Sequence, residues 1–223
     1  MEPTTPTSTA PEPAPSARRA YRSSVRTAQA AATRHRLLEA AGACFAENGY
    51  AGTSLRSIAE RAGVSVETVQ LNGPKADLLL ASYEQSFAGE EGRTSLLERA
   101  AFRRVVEATT AADIVSALVD FMTEANARSA ALAAAFDAAA LSDPRIAQAR
   151  TALGVRARAD SRKGVEMIAS RGGVRCGRPI DEVADELWFV LKAPHYLSLV
   201  GEAGWTHEQY RAWLDRTLRR LLC

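Results

Sequence analysis

Three features of the sequence predict an all-α fold. Apolar residues recur at helical spacing, no segment alternates with a period of two, and alanine is abundant while aromatic residues make up only 6%. Runs of Val, Ile, Thr and Tyr that would build strands are missing. The predicted architecture is an N-terminal three-helix unit followed by a C-terminal helical bundle. The expected boundaries are 1–30 for a disordered basic tail, 31–80 for the three-helix unit and 81–223 for the bundle.

The elements follow in order. Residues 1–17 are dominated by Pro, Thr, Ser and Ala and cannot build a core, so a disordered tail is expected. Arg18, Arg19, Arg22, Arg26, Arg34 and Arg36 follow, either as a solvated arm or as an arm laid along a phosphate backbone. A first helix is expected from an N-cap at Thr33. Its apolar stripe is Leu37, Leu38, Ala41 and Phe45, its left-handed stop is Gly49, and Cys44 lies beside the stripe as a core residue. A second helix opens at Thr53 and points Leu55, Ile58, Ala59 and Ala62 inward. Gly63-Val64 makes a tight turn, and Ser65 caps a third helix running to about Leu71. Pro74 suits the first turn of a fourth helix that stops near Gly89. Beyond Gly92, helices are expected over roughly 94–108, 112–127, 129–141, 144–171, 181–201 and 206–222, the fifth kinked by Pro194.

Composition restricts the function classes. The 223 residues are 47% apolar and 24% charged with a net charge of +2, so any nucleic-acid surface must come from local clustering. The cysteines Cys44, Cys176 and Cys223 are scattered without a CxxC, which suggests neither a disulfide framework nor a metal site. No signal-peptide core and no span-length apolar run occurs, so a cytoplasmic protein without a membrane partner is expected. His35, His195 and His207 form no HExxH or Glu-x-x-His pair, and GxSxG, P-loop and GxGxxG motifs are missing. No catalytic residue, cofactor or enzymatic activity is expected.

The segment from Leu55 to Leu71 carries the function. Ala59 is small where two helices approach, Gly63 gives the turn a permissive backbone, and Val64 and Val69 pack the second helix on the first. Together these specify a helix-turn-helix, whose second helix enters the major groove of DNA. One such unit covers few base pairs. Two related by a two-fold axis, about 34–36 Å apart, read a palindrome, so a homodimer on double-stranded DNA is expected.

The stretch TRHRLLEAAGACFAENGYAGTSLRSIAERAGVSVETV closely resembles the N-terminal domain of tetracycline-repressor-type (TetR-family) transcription regulators. The residues that carry the resemblance are Leu37, Leu38, Ala40, Ala41, Phe45, Gly49, Tyr50, Thr53, Ser54, Ile58, Ala59, Ala62, Gly63, Val64 and Ser65. The family then usually has Thr-Leu-Tyr and an aromatic-Phe pair. Here Gln70 replaces the Tyr, the Phe is missing, and Leu71-Asn72-Gly73-Pro74-Lys75 is about one residue short. The resemblance implies a contact between Lys75 and a phosphate.

Chemistry adds candidates for DNA contact. The hydroxyls and amides of Thr53 and Ser54 suit a phosphate. Gln70 can pair with an adenine edge, and Thr68 can reach a phosphate or a thymine methyl. Glu67 either accepts from cytosine N4 or serves the helix dipole in the first turn. Arg56 lies on an exposed face. Ser65, Leu71 and Asn72 complete the expected surface.

EVADELWFVL and GWTHEQYRAWLDRTLRRLL resemble the last two helices through which such regulators dimerise. Leu187, Leu191, Tyr210, Trp213, Leu214, Leu218 and Leu221 are the expected interface, with an intrachain core as the other possibility. Phe87, Phe102, Phe121, Met122, Phe136, Met167 and Trp188 supply bulk among the alanines, for a core or for an apolar ligand pocket between helices. The basic run Arg145–Arg178 is a solvated face or attracts an anion. The resemblance implies a sequence-specific repressor released from its operator by a small-molecule effector. The competing expectation is a helical small-molecule-binding or scaffold protein whose DNA-binding head has decayed.

Overall fold

A computed structural model of the chain describes residues 17–174 and 177–222, with side chains from residue 26 onward. The tail before Ala17, Arg175, Cys176 and Cys223 lie outside the described residues, as do the side chains of Arg18, Arg19 and Arg22. The described elements are helical, with no strand among them. Contacts divide the chain into two units, Met1–His35 and Arg36–Cys223.

Helix α1 spans Ala17–Gly52. It begins sixteen residues before the expected N-cap at Thr33, which is an interior helical residue, so the described part of the expected disordered tail is helical. Beyond Pro15 the sequence is rich in Ala and Arg and holds no Pro or Gly before Gly42, so nothing there interrupts helical propensity. In the first unit, residues 26–32 are exposed. Gly49 breaks the regular helix with φ 68° and ψ 177°, a positive-φ conformation open to glycine, at the expected stop.

In the second unit α2 (Leu55–Ala62), α3 (Val66–Leu71) and α4 (Lys75–Ala88) complete the head. Leu37, Leu38, Ala41, Cys44 and Phe45 of α1 share one buried cluster with Ile58, Ala59, Val69, Leu78 and Leu79. The cluster also takes in Leu132, Phe136, Ala139 and Ile146 from further along the chain. Gly42 permits that approach, since a Cβ there would lie 3.3 Å from Leu132 and 3.6 Å from Ser82.

The rest is α5 (Arg103–Glu107), α6 (Ala111–Ala140), α7 (Pro144–Ser170), α8 (Ile180–Val190), α9 (Ala193–Tyr196) and α10 (His207–Leu222). Two expected helices, 112–127 and 129–141, are one 30-residue helix, because no Gly or Pro separates them. The expected 94–108 helix is two 3-10 turns and the short α5. The expected 181–201 helix divides at Leu191-Lys192; Pro194 sits in the first turn of α9, and a π-helical turn, Leu197–Glu202, follows. The second core joins α5, α6, α7, α8 and α10 through Phe102, Val105, Ile114, Leu118, Met122, Val165, Ile168, Leu187 and Leu214. Among the described residues no helix is long and apolar enough to cross a membrane.

Candidate nucleic-acid interface and interior cavity

The helix-turn-helix is built as its residue types require. Ser54 caps α2 by accepting from the Ser57 amide at 3.0 Å, and Ser57 returns the contact to the Ser54 amide at 3.1 Å. Gly63 takes the left-handed conformation (φ 66°, ψ 36°), and the Val64 amide donates to the Ala59 carbonyl. Ser65 caps α3 by accepting from the Thr68 amide at 3.1 Å. Val69 is fully buried and Val66 packs half-buried against the same cluster, so these two pin α3 while Glu67, Gln70 and Leu71 face outward.

Three expected roles change. Thr53 is not the N-cap of α2 and does not offer its hydroxyl to solvent. The residue is 2% exposed, and its Oγ1 donates to the Cys44 carbonyl (2.9 Å) and the Gly49 carbonyl (2.8 Å). Sharing its one hydroxyl proton between these carbonyls at the end of α1, that of Cys44 also met by Asn48 Nδ2, outweighs capping, which falls to Ser54. Lys75 is turned inward. Its Nζ donates to the carbonyls of Tyr50 (2.7 Å) and Thr53 (2.9 Å) and lies 4.2 Å from the centre of the Tyr50 ring. Asn72 closes α3, its Nδ2 donating to the Thr68 carbonyl at 2.8 Å. Gly73 follows with φ 123°, a conformation that side chains disfavour, and Pro74, expected in the first turn of α4, is instead its extended N-cap. The short Asn-Gly-Pro passage is thus a closed helix end.

The remaining candidates are exposed or half-buried on the head. Arg56 is paired with Glu60 at 2.9 Å, both largely exposed. The Glu67 carboxyl is held below its usual range, first by its own backbone amide and then by the Ser65 hydroxyl, as a first-turn acid should be. Thr68 Oγ1 lies 3.1 Å from the Ser65 hydroxyl. Leu71 is 88% exposed.

Lys75 gives a direct test. Lys75→Met should keep the packing on Tyr50 but lose both carbonyl contacts, lowering stability by about 1–3 kcal/mol in a denaturation titration. The salt slope of DNA binding should be unchanged. A slope smaller by about 1, without loss of stability, would mean that Lys75 holds a phosphate.

Beneath the head, α4, α6, α7 and α8, with α5, the turns before it and the start of α9, line a partly open cavity of about 430 Å³. Six of the expected pocket residues, Phe87, Phe102, Met122, Phe136, Met167 and Trp188, line it. Phe121 does not; it stands behind the wall, edge-on to Phe102 (4.9 Å) and Phe87 (5.8 Å). Tyr83 also lines the cavity, stacked on Phe136 at 5.9 Å and 5°. Burial, with Asp137 and Glu84 adding to it, pushes the Tyr83 hydroxyl up to about 12, so it stays a neutral phenol.

The head is tied to the turn between α6 and α7. The Tyr50 hydroxyl donates to Asp143 at 3.3 Å, Asp143 caps α7, and Arg145 pairs with Asp77 of α4 at 3.1 Å. Sequence reasoning missed Tyr50, Tyr83, Asn126 and Asp143, because nothing local brings distant helices together. The spacing Asp143-Pro144, an N-cap before a first-turn Pro, was the one available signal.

Four of the expected dimer residues are instead core of their own chain. Leu187, Tyr210, Leu214 and Leu218 are at most 1% exposed and pack with α6. Helical spacing reveals an apolar face and is silent on what covers it. Leu191, Trp213 and Leu221 are half-buried against the same core. The outer face of α8 and α10 carries an apolar groove lined by Trp188, Phe189, Val190, Thr217 and Leu221, with Phe189 56% exposed. In the basic run, Arg145, Arg150, Arg156, Arg158, Arg162 and Arg178 each pair with a carboxylate. No group of His, Cys, Asp and Glu that could hold a metal ion occurs among the described residues.

Residues 37–70 match the sequence model of bacterial regulatory proteins of the tetR family. No curated protein matches the chain. Among solved structures, a transcriptional regulator from Rhodococcus sp. Rha1 is similar at 22% identity and TM-score 0.61, over 84% of this chain and 95% of that one. A protein of Saccharomonospora viridis assigned as a transcriptional regulator, in complex with choline, is 17% identical with TM-score 0.63, over 86% and 98%. The regulator FadR from Bacillus subtilis, in complex with stearoyl-CoA, is 16% identical with TM-score 0.55, over 82% and 96%. At these identities the likeness is one of fold.

Proposed function

We propose that this TetR-family chain, a DNA-binding transcriptional regulator, is a homodimeric repressor of the cytoplasm whose hold on a palindromic operator is released by a small molecule in the interior cavity. The observation that carries this reading is the position of Phe136. Its ring lines the cavity and belongs to the buried cluster of the head. A ligand that shifts α6 therefore acts on the head through direct packing, and an effect on DNA requires only different affinities for two arrangements.

In this reading residues 31–80 form the DNA-binding domain and 81–223 the ligand-binding and dimerisation domain. Gln70 and Thr68 read bases, with Ser54, Arg56 and Leu71 beside them. The two-fold contact forms on the outer groove around Phe189 and Leu221. That contact holds two copies of α3 about one helical turn apart.

The reading is tested by footprinting on DNA from around the protein's own gene. A palindromic footprint is expected, with affinity falling steeply as salt rises. Binding that competitor DNA of unrelated sequence abolishes entirely would sink it, and would favour a head that no longer reads sequence.

A further inference from the structure

We propose that the cavity takes a neutral, mainly apolar ligand that donates one hydrogen bond to Asn126 Oδ1; this rests on the cavity being the effector site. Asn126 lines the cavity and is 0% exposed. Its Nδ2 is committed, donating to the Tyr210 hydroxyl at 3.0 Å and the Leu191 carbonyl at 3.3 Å. Its Oδ1 is buried with no partner. Buried acceptors are rarely left unmet, and a small turn of the amide would let an O–H or N–H in the cavity meet this one.

Neutrality follows from the charges on the wall, each of which is already engaged. Glu84 pairs with Arg156 at 2.8 Å and accepts from the Gly92 amide at 2.8 Å. Asp137 pairs with Arg150 at 2.5 Å. Asp160 accepts from the Ser95 hydroxyl (2.7 Å) and the Leu96 amide (2.9 Å). Arg99 donates to the carbonyls of Glu90, Gly92 and Thr94, and Lys192 sits 3.6 Å from the centre of the Trp188 ring. A charged ligand would have to break one of these contacts to gain a counter-charge, and would lose its hydration on entry.

The room comes from α7, where Gly154, Ala157, Ser161 and Gly164 follow one another along the wall. A Cβ added at Gly154 or Gly164 would meet nothing within 4 Å, so a larger side chain there would occupy the cavity.

Four compounds of one shape separate the possibilities by calorimetric titration: 4-phenylphenol, 4-methoxybiphenyl, biphenyl-4-carboxylate and biphenyl-4-ylmethylammonium. The phenol should bind about 5- to 10-fold more tightly than its methyl ether, which lacks the donor. It should bind at least about 10-fold more tightly than either ion. Gly164→Leu, with its helical circular dichroism intact, should weaken the phenol by at least about 10-fold. No binding of the phenol, equal binding of the ether, an ion that binds as well, or indifference to Gly164→Leu each overturns the proposal. DNA release is a separate readout. A phenol that binds as stated and leaves DNA bound sinks the effector reading alone, whereas an ion that binds more tightly and releases DNA sinks only the neutral-ligand proposal.

Discussion

Replacing Thr68 and Gln70 together with alanine is expected to abolish operator preference while leaving the fold intact. A two-point contact between an amide side chain and adenine discriminates by about 1–3 kcal/mol per half-site, and a symmetric dimer loses it twice. The preference for operator over random DNA should therefore fall by about 30- to 20,000-fold. Gln70 is exposed and makes no side-chain hydrogen bond among the described residues, and the Thr68 hydroxyl touches only that of Ser65. The cap of α3 needs the Thr68 amide, which alanine keeps. The unfolding midpoint should accordingly move little. Competition binding against random DNA, paired with thermal unfolding, measures both. Unaltered preference would show that α3 is not the reader.

Phe136→Ala should be the most damaging single change in the body of the molecule. The ring is 2% exposed, and truncating a buried Phe costs about 3–5 kcal/mol. A second consequence is specific to its place. Phe136 stacks on Tyr83 of α4, and α4 runs back to Lys75, whose ammonium ties it to the carbonyls that precede α2. Removing the ring should disconnect the cavity from the head. The milder Phe136→Leu keeps most of the volume and should stay folded. In that variant the effect of 4-phenylphenol on DNA affinity should shrink from the about 1–3 kcal/mol typical of coupled sites towards zero. Coupling retained in Phe136→Leu would mean that the signal travels by another route, of which the Tyr50–Asp143 and Arg145–Asp77 contacts are the clearest.

Much of the head was legible in the chain because its signals are local. Ser65 three residues before Thr68, and Gly63 between two apolar runs, are short-range devices whose geometry follows from residue type. The shift of the α2 cap from Thr53 to Ser54 was not legible. Both residues can cap, and the choice is made by the Cys44 and Gly49 carbonyls that α1 leaves beside Thr53. Lys75 is a related case. A lysine at the start of a helix suits a phosphate, yet the carbonyls of Tyr50 and Thr53 lie within its reach.

The C-terminal helices show where periodicity stops being informative. The stripe Tyr210, Trp213, Leu214, Leu218 and Leu221 is a helix face, but α6 covers most of it and leaves Phe189 and Leu221 at the outer groove. Local residue order determines the helices, their caps and the helix-turn-helix, since hydrogen bonds and side-chain spacing act over a few residues. Which faces become core, which become surface and where a cavity opens depend on residues far apart in the chain. Asn126 meets Tyr210 across 84 positions, and only tertiary packing brings them together and leaves one buried amide oxygen beside a cavity with nothing to accept.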